Sequence, residues 1–348
     1  MTTIKDVAQR AGVSVATVSH VMNNSRAVSV EARDKVQAAI VALKYRRDGI
    51  ARSLRVSHTG TIALMISDIT NPFFAEMVRG IEDCVHTRGK TFNILLCNTE
   101  ENDERERRAL DMVLEKRIDG IIIVPTGGNA GLLQDLVDGG LPIVLADRHL
   151  PGLQADAVIV DNRPASFAIT DHLIRLGHRR IGALTANLDA NSIRDRVAGY
   201  RDALESAGLP SDSRLMVGSH SSIDAAVEAG FALLDLRPAP TALFGTNNFM
   251  TLGLVRAVLE RGLRCPDDIS IVGFDDFPWA ASFQPRLTVI EQPSFAIGQE
   301  AAGLLLDRIS RKRQGPSVTV TLQTRLIVRD SSRPWPPTQP DAARPDLS

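Results

Sequence analysis

Cysteine is scarce in this 348-residue chain. Cys84, Cys97 and Cys265 lie far apart and form no C-x-x-C pair. A disulfide framework and a zinc site are thereby excluded, and buried thiols are expected. No run of about 18 apolar residues exists, so no segment is expected to span a bilayer. The opening stretch MTTIKDVAQRAGVS lacks the apolar core of a secretory signal, which predicts a cytoplasmic protein. Phosphate-cradling loops are missing too. G-x-x-x-x-G-K-[ST] occurs nowhere, and the turn after the first apolar strand run carries no G-x-G-x-x-G, which argues against NAD or ATP. Excess charge is the last absence: 40 Lys+Arg stand against 41 Asp+Glu, a net charge of -1. Taken whole, that balance argues against a nucleic-acid partner.

Divided near His58, the balance changes. Residues 1–58 hold ten cations against four acids, a charge of +6, whereas the remainder holds 30 against 37. A basic module attached to an acidic body is the expected organisation. With 44% apolar and 23% charged residues, both parts are ordinary globular material.

The basic part reads as short helices. Ile4, Val7, Ala8 and Ala11 recur at helical spacing, and Gly12 can take the left-handed turn that ends the first helix. Ser14 can cap a second, Val15 to Met22. Ser29 caps a third, with Ala32, Val36, Ala39, Ile40 and Leu43 as its apolar stripe. Two helices joined by a tight glycine turn form a helix-turn-helix pattern. Asp48 can cap a further short helix, roughly residues 48–55, flanked by Arg46, Arg47, Arg52 and Arg55. So short a helix is unstable alone.

After His58 strand and helix alternate. Apolar strand runs occur at 61–67, 92–98, 120–125, 142–147, 157–161, 180–186, 241–247, 269–275 and 287–292, with helical segments between most of them. Uninterrupted apolar runs belong to parallel sheets covered on both faces. The strand count predicts two doubly wound α/β subdomains in tandem, with a ligand cleft outside the carboxyl ends of the strands. The expected bounds are 60–161 with 293–317 for the first subdomain and 162–290 with 318–330 for the second. Residues 331–348, rich in proline, are expected to be a disordered tail.

The segments TIKDVAQRAGVSVATVSHVMNN and VSVEARDKVQAAIVALKYRRDGIARSLR resemble the headpiece of the lactose-repressor (LacI/GalR) family of bacterial transcription regulators. The likeness continues to LIVRD near Asp330, with a body similar to periplasmic sugar-binding proteins. It implies a repressor that binds a pseudo-palindromic double-stranded operator as a homodimer, or as a tetramer, in the bacterial cytoplasm at the nucleoid, under control of a small molecule. The second helix would enter the major groove. There Val15 and Ala16 suit thymine methyls, while Thr17, Ser19 and Asn23 can bond phosphates. Thr3 joins this DNA-contacting set. His20 stands where many relatives carry a guanine-reading arginine, and it can reach guanine N7 with a single bond. The resemblance also implies that Leu54, with Ala51 one turn earlier and Arg55 beside it, wedges into the minor groove.

For the body, the resemblance implies effector contacts from Asn71, Phe73 and Phe74, from Asp147 and Arg148, and from Arg196, Asp275 and Gln292. Asn248 stands where relatives often carry aspartate. An amide there offers one acceptor and two donors where aspartate accepts from two hydroxyls. Within the expected class of a sugar or a sugar acid, it weighs against a plain neutral sugar and towards a sugar acid or an amide-bearing ligand, with Arg148 and Arg196 able to pair with a carboxylate. The alternatives are ion pairs of those arginines with Asp147, Asp195 or Asp275, and a non-sugar effector such as a purine. Neighbouring strand-end residues point to opposite sides, so Asp275 and Asp276 do not suit paired-carboxylate catalysis. His172 and His178 lack a third metal ligand. No cofactor, metal or catalytic residue is expected. A transport receptor would share the body but not the headpiece.

Overall fold

The computed structural model describes residues 2–23, 26–45, 59–88, 92–220 and 222–335, with the backbone alone at residue 23. It divides into two compact units, residues 1–59 and 60–348.

In the first unit, α1 (Ile4–Ala11), α2 (Val15–Asn23) and α3 (Val30–Ala42) close on a small core. Val7, Ala8, Ala11, Val18, Val36 and Ala39 are its buried members. Thr3 and Asp6 form a capping box at the start of α1, and Gly12 ends that helix at φ 64°. Ser14 Oγ accepts from the Thr17 amide at 3.0 Å, and Ser29 caps α3, as the sequence predicts.

In the second unit the order is β1 (Thr61–Ile66), α4 (Pro72–Thr87), β2 (Asn93–Asn98), α5 (Asp103–Glu115), β3 (Gly120–Ile123), α6 (Ala130–Asp138), β4 (Ile143–Ala146), β5 (Asp156–Val160) and α7 (Asn162–Arg175). There follow β6 (Ile181–Thr185), α8 (Asn191–Ser206), β7 (Met216–Gly218), α9 (Ile223–Leu234), β8 (Ala242–Gly245), α10 (Asn248–Glu260), β9 (Ser270–Phe274), β10 (Thr288–Glu291), α11 (Ser294–Ile309), β11 (Thr319–Leu322) and β12 (Arg325–Ile327). Two six-stranded sheets result, ordered β11-β5-β4-β3-β1-β2 and β12-β10-β9-β8-β6-β7. Their inner strands are buried throughout, which is why they read as continuous apolar runs. On the first sheet α4 and α11 cross at two glycines. A Cβ on Gly80 would lie 2.0 Å from Phe295 O, and one on Gly298 would lie 2.1 Å from Met77 O. Only glycine allows so close an approach.

The chain passes between the sheets three times, after β5, after β10 and after β11. Here the expected bounds need correction. β11 pairs with β5 in parallel, Thr319 opposite Ala157, so the last passage falls after Leu322 and not before 318. The segment between Leu322 and Arg325 divides the run VTVTLQTRLIV between the two sheets.

The start of the expected disordered tail is also different. Ser331 is fully buried, its Oγ donating to Ile271 O at 2.6 Å while the Ile271 amide donates to Ser331 O. The Trp335 amide donates to Leu176 O at 2.7 Å, and its ring lies 5.9 Å from that of His178. His178 bonds Thr241 Oγ1 and Arg333 O, and His172 bonds Ser332 Oγ. Residues 331–335 are therefore a strap on the second subdomain. Composition suggested disorder because proline dominates from 334 on, but Ser331 and Trp335 have the right partners. Residues 336–348 lie outside the described residues.

Candidate effector cleft and DNA-reading face

On α2 the packing decides which residues face outward. Val18 is fully buried, which leaves Val15, 39% exposed, and Ala16 on the surface. The hydroxyl of Thr17 lies 2.9 Å from Ser14 Oγ, and that of Thr3 donates to Asp6 Oδ2 at 2.9 Å, so both are engaged within the headpiece. Ser19 and His20 are half-buried and make interactions of their own. The Asn23 side chain, Ala51, Leu54, Arg55 and the whole expected hinge helix lie outside the described residues.

Between the two sheets of the second unit lies a cavity of about 1040 Å³. Its wall includes eight of the nine expected effector residues: Asn71, Phe73, Phe74, Asp147, Arg148, Arg196, Asp275 and Gln292. Asp147 follows β4 and Asp275 follows β9, strands at the same place in their two sheets. Both acids take the left-handed backbone conformation, with φ 64° and 76°, as do Glu100 and Glu101 on the same wall. Such backbone positions are costly for side-chain-bearing residues and concentrate at functional sites.

The two arginines do not wait for a carboxylate. Arg148 forks onto Glu101 at 2.7 and 2.6 Å, and its Nε lies 3.4 Å from Asp147 Oδ2. Burial works against the Glu101 carboxylate, but Arg148 outweighs it and draws that pKa below the usual range. Burial likewise opposes the Arg148 cation, and Glu101 raises its pKa regardless. Arg196 donates from Nε to Asn162 Oδ1 at 2.7 Å and from Nη1 to Thr246 O at 2.9 Å, with its carbon 3.7 Å from the centre of the Phe274 ring. Its burial lowers its pKa against the pull of Asp275 and Asp147. Of the two expectations for these arginines, pairing within the protein describes Arg148, which does contact Asp147, whereas Arg196 bonds neutral groups and none of the three expected acids. Each fork is held by protein groups, and Glu101, which the sequence did not single out, supplies the first.

Asn248 is a second correction. It is buried and absent from the cavity wall. Asn247 is the N-cap of α10, accepting from the Met250 amide at 2.8 Å, and lines the cavity, while Asn248 is the first helical residue. It forms a reciprocal amide pair with Asn71 across the cleft, at 2.6 and 3.2 Å. Asn71 also caps α4 through Phe73 N at 3.0 Å. A second bridge joins the subdomains where Asn191 Nδ2 and His149 Nδ1 lie 2.6 Å apart. Phe73 and Phe74 meet edge to face at 5.0 Å, and both reach the cavity while packing in the core.

Asp275 is held on both oxygens, by Gln292 Nε2 at 2.5 Å and the Asn248 amide at 3.2 Å. Asp147 Oδ1 and Gln292 Oε1, by contrast, are buried without a hydrogen-bond partner. Burial raises the Asp147 pKa, with Arg148 pulling the other way. Asp276 faces out of this set and forks onto Arg329 at 2.9 and 2.6 Å. Sequence reasoning missed Asn187, Leu188, Asp189, His220 and Phe249 on the wall, although most follow carboxyl ends of strands. Among the described residues no cluster could hold a metal, and no helix is long and apolar enough to cross a membrane.

Residues 3–48 match the model of bacterial regulatory proteins of the lacI family, and residues 170–332 match the periplasmic binding protein-like domain. The HTH-type transcriptional repressor PurR of Vibrio atlanticus (strain LGP32) is 36% identical over 314 residues, covering 90% of this chain and 93% of that protein. The solved structure of the transcriptional regulator CelR in complex with cellobiose is similar with a TM-score of 0.72 at 32% identity, covering 95% of this chain and all of that one. The lac repressor dimer bound to operator and the anti-inducer ONPF gives 0.83 at 27% identity, over 95% of this chain and 99% of that one. The chain accordingly belongs to the LacI family, whose members are non-enzymatic, DNA-binding transcriptional repressors with a ligand-binding α/β body.

Proposed function

We propose that the protein is a repressor whose hold on its operator is set by a neutral, hydroxyl-rich molecule, a sugar, bound between the two α/β subdomains. The observation that carries this reading is the chemistry of the cavity wall. Six acids (Asp68, Glu100, Glu101, Asp147, Asp189 and Asp275) face two arginines, and both arginines already bond protein groups. A wall of that sign repels a sugar acid or a nucleotide phosphate. The unpartnered acceptors Asp147 Oδ1 and Gln292 Oε1 call for a ligand that brings donors, as hydroxyls do.

Ligand binding completes the bonds of these buried acceptors and favours the closed cleft, bridged by Asn71–Asn248 and His149–Asn191. The closed and open forms would differ in how well the expected hinge around Leu54 folds on DNA, a coupling typically worth about 1–3 kcal/mol. The operator-facing surface is α2, with Val15 and Ala16 presented to thymine methyls.

A thermal-shift screen of the full-length protein tests the effector class. Neutral sugars should raise the melting temperature, whereas gluconate and glucuronate should not. Stabilisation by guanine or hypoxanthine alone would establish the second reading, a purine effector, for which the PurR-named relatives speak. For the hinge, Leu54→Ala should weaken operator binding at least about tenfold while sparing effector binding. Equal operator affinity of the two proteins would remove Leu54 from the DNA interface.

A further inference from the structure

The cavity wall has two unlike halves. The deep half is lined by buried groups, among them Phe73, Asp147, Arg196, Asp275 and Gln292. The outer half is lined by exposed residues at strand ends and on loops, chiefly Asn98 at the end of β2, Glu100 after it, Leu188 after β6, and His220 after β7. The total of about 1040 Å³ lies at the upper end of the roughly 300–1000 Å³ typical of sites for drug-sized ligands. A single sugar ring is smaller than such a ligand. Seated on the unpartnered acceptors of Asp147 and Gln292, it leaves the outer half open to water.

That outer half is built, not incidental. Arg194 on α8 donates from Nη1 to Leu188 O at 2.9 Å and to Asp189 O at 2.8 Å. Asn187 Oδ1 accepts from the Asp189 amide at 3.0 Å in an Asx turn. These bonds fix the loop, and Leu188 stays 43% exposed against the cavity. From the first subdomain, Asn98 Oδ1 accepts from the Ile69 amide, and Glu100 is ion-paired with Arg105. Among the described residues no lysine or arginine lines this half. An apolar surface beside polar, cation-free groups suits the C–H face of a second uncharged sugar ring and excludes a phosphorylated one.

We propose that the outer half of the cleft is a second sugar subsite, with Leu188 as its packing surface, so that the effector is a neutral disaccharide. The proposal rests on the sugar reading above and deepens it. Burial of an apolar side chain of this size against a ring gives a preference of about tenfold over the matching monosaccharide.

Calorimetric titration of the full-length protein with matched pairs tests it: glucose with cellobiose and maltose, galactose with lactose. At least one disaccharide should bind about tenfold more tightly than its monosaccharide, and Leu188→Ser should reduce that ratio to about two while leaving the monosaccharide unaffected. Leu188 is exposed, so the variant folds. A monosaccharide that binds as tightly as every disaccharide containing it overturns the second subsite and leaves the sugar reading standing. A disaccharide preference untouched by Leu188→Ser overturns the role of Leu188. Binding of no sugar, with a response to purines, overturns the sugar reading and the subsite together.

Discussion

The two α/β subdomains place an aspartate at the same point, after the third strand of each sheet and in the same left-handed conformation, yet the two acids have opposite fates. Asp275 in the second subdomain is bonded on both oxygens, whereas Asp147 in the first keeps one buried oxygen without a partner. At equivalent positions of the two sheets, one acid is satisfied within the protein and the other keeps an acceptor unused. The second subdomain carries a further restraint that the first lacks, the strap of residues 331–335 over His178.

Asp275→Ala should give the largest effect that separates the halves. It strips Gln292 Nε2 and the Asn248 amide of a charged acceptor, and a loss of about 3 kcal/mol in denaturant unfolding is expected. A loss below about 1 kcal/mol would make the two acids alike after all.

Acid should act next, and unevenly. Burial, opposed by the bond to Arg333 O, holds the His178 pKa down at about 4, against about 6.5 when unfolded. The folded state favours the neutral ring, so below about pH 6.5 the unfolded chain binds the extra proton and stability falls. The loss grows until about pH 4 and reaches roughly 2 kcal/mol at pH 5. The His172 pKa is lowered as well, again by burial, with Asp171 opposing. Hydrogen exchange at pH 5 should therefore show β6, α7 and the strap opening before the first sheet. Uniform loss of protection would break the contrast.

Asp147→Ala should cost about 1 kcal/mol, chiefly the strain of alanine at a left-handed position and well short of Asp275→Ala, yet weaken effector binding by about tenfold or more, measured by calorimetry with whichever sugar stabilises the protein. Removing a merely structural acid would give the reverse pattern. Asn248→Ala should have the smallest effect. Loss of the amide pair to Asn71 should raise the effector Kd severalfold, about 1 kcal/mol, with the operator affinity of the ligand-free protein unchanged.

Much of this was legible in the sequence, for identifiable reasons. The inner strands are buried on both faces, so runs such as GIIIVP and PIVLAD announce a parallel sheet, and the residues just beyond them announce the cleft. The three-residue β7 and the divided β11–β12 run escaped because short, half-exposed strands leave no apolar run. Glu101 escaped because its partner Arg148 lies 47 positions on, with β3 and β1 between β2 and β4 in the sheet, so that only the segments beyond the strand ends bring the two together. Asn248 lies one residue past the wall residue Asn247 and gives its amide to Asn71. Which of two adjacent asparagines caps α10 decides which amide faces the cavity, and residue type alone does not choose between them. Arg148 and Arg196 lie on the wall as expected, and pairing within the protein is one of the two expected alternatives, but their main partners, Glu101 and Asn162, are not legible because a sequence does not display which groups a guanidinium meets.

The three passages of the chain between the sheets bear on motion. Two bodies joined by one strand can swivel about it in any direction, and joined by two they can still twist. A third tether beside the other two removes that freedom as well, leaving rotation about a single shared axis. Opening and closing then follow one track. Three crossings thus leave the two halves fewer ways to move against each other than one or two would.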